Sequence, residues 1–167
     1  MTITDIQGNS AEAYDLIMRK EFAWQILRGE KPYEFRSVSR FYVQKFLKPK
    51  YSRTKSLDDV ETRKYKYVHF HDYGNTWFLD VRIDGIGYIK PHPSTLPFLH
   101  ERNCHELDEV AQQYASLKEN DPELPLLFFI EIAEVLNTSL APLSEIQRDG
   151  KIKVNPVIPS DSRLHNK

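Results

Sequence analysis

At 167 residues, 40% of them hydrophobic, the chain is long enough for one compact domain with a real core and too short for two ordinary ones. Aromatic residues at 12% and charged residues at 28% exclude a globally disordered chain, and nothing approaches the roughly 18 consecutive apolar residues of a membrane span. A net charge of -1 excludes a uniformly basic nucleic-acid binder, but the charge is not uniform. From Lys31 to Lys66 eleven Lys and Arg face four acids, a balance of +7, and the remainder carries -8. Ligands respond to that local field, not to the total. Met1 to Glu12 lacks the basic flank and apolar stretch of a signal peptide. A single cysteine excludes an internal disulfide, and the natural expectation is a cytoplasmic protein.

In chain order, Tyr14 to Met18 is a short apolar run that suits a first buried strand. Glu21 to Arg28 follows as a helix with Phe22, Ala23, Ile26 and Leu27 on one face and Gly29 as its stop. Trp24 falls off that apolar face and is expected to be exposed. Lys31 to Arg36 alternates, Tyr33 and Phe35 on one side, Glu34 and Arg36 on the other, which is a strand pattern. Ser39 to Leu47 has approximate helical spacing. Lys48 to Lys64, rich in charge and interrupted by Pro49, reads as a mobile loop.

Tyr65 to His71 and Thr76 to Asp84 read as strands around a turn at Asp72 to Asn75, with Trp77, Leu79, Val81 and Ile83 on the buried face of the second. Gly85 and Gly87 suggest a turn or bulge before Tyr88 and Ile89, and Pro91, Pro93 and Pro97 a loop. Asn103 with Glu106 resembles a capping box ahead of a helix whose face is Leu107, Val110, Ala111, Tyr114 and Leu117. Leu126 to Val135 is the most apolar strand, and the tail from Ser144 to Lys167 is polar and loosely held. The elements add up to an α+β fold, a small, mostly antiparallel sheet or barrel carrying two or three helices, as one domain over residues 1–143 with a tail over 144–167.

A helix ending in Gly29-x-Lys31, followed by Glu34-x-Arg36 on a strand, resembles the ASCH family, the activating-signal-cointegrator homology domains of the PUA-like superfamily. The resemblance implies a small PUA-like β-barrel that receives RNA or a nucleotide in a cleft marked by Gly29, Lys31, Glu34 and Arg36. No metal and no cofactor are expected. The residue types agree with it: Glu34 and Arg36, two apart on a strand, share a face and can bond each other or a ligand, and Lys31 supplies a mobile charge for a phosphate. One branch of the family looks like amidohydrolases acting on acylated cytidine through a lysine and a threonine of this motif. Lys31 stands at the lysine position and Glu34 at the threonine position, so the enzymatic alternative, a small hydrolase of modified nucleosides or RNA, runs through Glu34 as general base with Lys31 beside it.

The basic stretch from Arg40 to Lys66 interleaves Phe41, Tyr42, Phe46, Tyr51 and Tyr65 with nine Lys and Arg, cations for phosphates beside rings for base stacking. Arg40, Tyr42, Lys45 and Trp24 therefore join the candidate RNA contacts. His69 and His71 share a strand face, but no further ligand at firm spacing completes a metal site. Cys104 beside His105 reads as a residue of the helix cap, not a nucleophile.

Overall fold

The structure, a computed structural model of the chain, describes residues 1–4, 7–47 and 65–142. The expected loop from Lys48 to Lys64 and the expected polar tail over 144–167 lie outside the described residues. The fold is mixed α+β. Its strands are β1 (Thr2–Thr4), β2 (Ser10–Glu12), β3 (Tyr14–Ile17), β4 (Tyr33–Ser37), β5 (Tyr67–His71), β6 (Phe78–Ile89) and β7 (Leu127–Thr138). Its helices are α1 (Lys20–Leu27), α2 (Arg40–Phe46), α3 (Leu96–His100) and α4 (Asp108–Gln113). Five strands hydrogen-bond in the order β3-β5-β6-β7-β4, and β1 pairs with β2 apart from them. β3 and β5 run parallel, whereas β5–β6 and β4–β7 are antiparallel. By contact density the chain falls into two compact units, Met1–Lys31 with Lys66–Ile83 and Ala133–Lys167, and Pro32–Tyr65 with Asp84–Ile132.

In the first unit, strand alternation decides what is buried. Tyr14 and Leu16 of β3, Val68 and Phe70 of β5, and Leu79, Val81 and Ile83 of β6 are all buried, with Trp77 just ahead of them. The other face of β6 departs from the alternating pattern at Asp80, which is buried, because His69, its partner across the β5–β6 pair, hydrogen-bonds its carboxylate. Helix α1 buries Ala23, Ile26 and Leu27 and stops where expected. Gly29 takes a left-handed φ of +75°, its N–H donates to the Ile26 carbonyl, and the Glu30 N–H donates to that of Gln25. These two bonds satisfy carbonyls that the last turn leaves open, a reversal that favours glycine.

The second unit packs Tyr33, Ile89, Leu96, Leu99, Cys104, Leu107 and Ala111 into one cluster, flanked by Phe35, Val110, Leu127 and Phe129. Four expectations change here. β6 passes straight through Gly85 and Gly87 without a turn. A Cβ at Gly87 would lie 2.7 Å from the Phe129 ring, itself edge-on to Tyr33 at 5.5 Å, so the glycine serves close strand approach. Gly87→Ala is expected to cost about 1–3 kcal/mol through overpacking. Gly85→Ala, which meets nothing within 4 Å, is the matched control, and equal melting temperatures for the two variants would contradict the assignment.

The proline-rich stretch is not plain loop. Pro93 lies in the first turn of a short 3-10 helix, Pro93–Thr95, and Pro97 in the first turn of α3, where a missing N–H costs nothing. The Asn103–Glu106 capping box does not form: Asn103 adopts φ of +56° in a tight reversal, and α4 starts later, behind Leu107, with no side-chain cap. Cys104, expected at that cap, is a fully buried core residue instead.

Candidate nucleic-acid interface

β4 positions the first part of the site. Its alternation holds, sending Tyr33 and Phe35 to the apolar cluster, and Glu34 and Arg36 meet as an ion pair of 2.8 Å with side chains only 8% and 14% exposed. Glu34 is buried and Arg36 half-buried, so this is not an exposed surface pair. Glu34 uses both oxygens: one accepts the Phe35 N–H at 3.1 Å and the other the Arg36 guanidinium.

Arg36 has a second partner on α2. Ser39 caps that helix by accepting the Tyr42 N–H, and the turn it starts brings the Tyr42 hydroxyl to 2.7 Å from Arg36 Nη1. Burial pulls the guanidinium pKa down, but the Glu34 charge and the bonds to Glu34 and Tyr42 outweigh it and hold Arg36 above its ordinary value. The cation is therefore permanent and fixed in direction. Beneath it, the Tyr42 ring stacks on buried Phe46 at 5.6 Å, and Phe46 meets Phe128 of β7 edge-on at 5.1 Å.

The outer side of α2 carries a different surface. Phe41 is 60% exposed, an unusual place for a phenylalanine on a seven-residue helix. Lys45 Nζ lies 5.2 Å from its ring centre, Tyr42 stands edge-on to it at 5.0 Å, and exposed Arg40 precedes it. An exposed ring with a cation beside it can stack a base and meet a phosphate. Sequence reasoning counted Phe41 among the aromatic residues of the basic stretch without selecting it; the signal was its position between Arg40 and Lys45 on a helix whose buried residue is Phe46.

The remaining expected site residues belong to the first unit. Gly29 is the helix stop described above. Lys31 is only 3% exposed, with its ammonium 5.1 Å from the Phe22 ring centre, and so is not the mobile cation that its position before a strand suggests. Trp24 is half-buried rather than exposed, and its indole N–H is buried with no hydrogen-bond partner among the described residues. Thus Glu34, Arg36 and Tyr42 are brought together in the second unit, with Arg40 and Lys45 on the adjoining helix.

The paired histidines have partners of another kind. His69 is tied to Asp80 and His71 to Asp15, one carboxylate from each strand flanking β5, so both rings are locked into the sheet. The first unit also holds a cleft of about 640 Å³ bordered by Arg19, Lys20, Tyr73 and Trp77. Its charges are mixed, since Arg19 pairs with Glu21 at 2.8 Å and Asp72 binds the Thr76 hydroxyl and N–H, and none of the site residues expected from the sequence lines it. Comparison with protein-family models, curated proteins and solved structures finds no match to this chain.

Proposed function

We propose that this protein binds single-stranded RNA or a nucleotide, as an ASCH-type, PUA-like domain whose barrel contributes the five-stranded sheet. The interface is α2 and the strand before it: Phe41 stacks a base, Arg40 and Lys45 meet the backbone phosphates, and the Glu34–Arg36–Tyr42 network fixes the helix that presents them. The observation that carries this reading is the exposed Phe41 ring with Lys45 against it, inside the stretch from Lys31 to Lys66 whose charge balance is +7. Lys31, Gly29 and Trp24 lie outside this interface, and the protein acts in the cytoplasm.

The test is fluorescence anisotropy with short labelled RNA. Wild-type affinity is expected to fall steeply with salt, and Phe41→Ala with Lys45→Ala is expected to weaken binding by about tenfold or more, since one stacked base is worth about 1–3 kcal/mol. Unchanged affinity in that double variant would sink the proposed interface. No observation favours the hydrolase alternative: each Glu34 oxygen already accepts a bond, from Arg36 or the Phe35 amide, and its side chain is only 8% exposed, which gives a substrate water little access to it.

A further inference from the structure

We infer that His100, His105 and Asp108 form a surface site for a divalent transition-metal ion of the zinc type. The three donor atoms all lie within 4.8 Å of one another. Asp108 faces both rings, with Oδ1 2.7 Å from His100 Nε2 and Oδ2 3.4 Å from His105 Nδ1, and the two imidazole centres are 4.5 Å apart. An ion about 2.1 Å from each of three tetrahedral ligands holds those ligands about 3.4 Å apart, so the His105–Asp108 spacing already fits and an entering ion replaces the 2.7 Å His100–Asp108 hydrogen bond. Two imidazoles and one carboxylate suit zinc, cobalt or nickel and do not suit magnesium or calcium, which prefer all-oxygen sets.

The scaffold holds the three groups in place. Each follows directly on a buried residue of the second unit's core: His100 on Leu99, His105 on Cys104, Asp108 on Leu107. Between the first two, the left-handed Asn103 reverses the chain, with the Cys104 N–H donating to the Leu99 carbonyl and the Asn103 N–H to that of His100. Core anchors on the inside thus aim three donors outward at one point. The side chains of His100 and Asp108 are 40% exposed and that of His105 62%, so a bound ion keeps at least one position open to water. Three protein ligands with an open position mark a reactive or exchangeable site, in contrast to the closed four-ligand structural kind.

The inference is independent of RNA binding and is tested on the full chain with metal alone. Calorimetry with Zn2+ is expected to show one equivalent bound, and Co2+ to give the visible absorption of an imidazole-bound ion. His100→Ala and Asp108→Asn are each expected to weaken Zn2+ by about tenfold or more, against an unchanged affinity in His71→Ala. Retained affinity in His100→Ala, or an equal loss in His71→Ala, overturns the assignment. Should the variants unfold, the imidazole proton resonances of the wild-type chain decide the matter: Zn2+ must shift those of His100 and His105, and a titration that leaves both unmoved overturns it.

Discussion

Arg36→Ala is expected to destabilise the protein by about 3–5 kcal/mol, because it leaves the Glu34 carboxylate buried without the guanidinium that neutralises it. The size follows from the geometry: a 2.8 Å pair with side chains 8% and 14% exposed cannot be replaced by water without opening the surface between β4 and α2. Desolvating either charge is costly, so most of that loss is the penalty of a lone buried charge, not the net worth of the pair. Urea denaturation of a double-mutant cycle separates the two. Glu34→Gln keeps an oxygen to accept the Phe35 N–H, and combined with Arg36→Met it removes both charges while retaining volume. That double variant is expected to be more stable than Arg36→Met alone. Simple addition of the two single losses would show that Glu34 and Arg36 act independently, and the description of a coupled network would fail.

Phe128→Ala is the second large effect, again about 3–5 kcal/mol, as expected for a fully buried aromatic whose removal leaves a cavity. Phe128 is wholly inaccessible on β7, meets Phe46 of α2 edge-on at 5.1 Å and lies 5.3 Å from the Tyr88 ring. Its loss takes the floor from under the helix that carries Arg40, Phe41 and Lys45. RNA affinity is therefore expected to fall in Phe128→Ala as well, in step with thermal stability. Phe41→Ala, by contrast, is expected to change stability by no more than about 0.5 kcal/mol, as for other exposed positions, and to act on binding alone. A Phe128→Ala variant as stable as wild type would mean that α2 is held by something other than this ring.

Much of the architecture was legible from local pattern. The α1 face and its Gly29 stop, the alternation of β4 and the β5–β6 hairpin all follow from periodicities of 3.6 and 2 with the proper end residues. Where reading failed, a residue served two purposes. Pro97 reads as a breaker in isolation but sits in a first helical turn, and Asn103 with Glu106 matches a cap until the backbone reverses at Asn103. Gly87 reads as a turn when the facing Phe129, 42 positions along the chain, is not known.

The candidate site divides along the same line. Taken alone, the amino-acid order determined that Glu34 and Arg36 point the same way, because residues two apart on a strand must, and that positive charge gathers from Lys31 to Lys66. Only tertiary structure decided that Glu34 is buried, that Lys31 is nearly inaccessible against Phe22, and that Phe41 is left outside. It also decided that His100 joins His105 and Asp108, a convergence that follows from the chain reversal at Asn103 and from no single helix or strand face. The physical reason is one of range. Backbone geometry assigns a side chain its direction within a few residues, whereas burial, partners and convergence depend on what packs over it, and for Arg36 that is a Tyr42 hydroxyl brought back by the next helix.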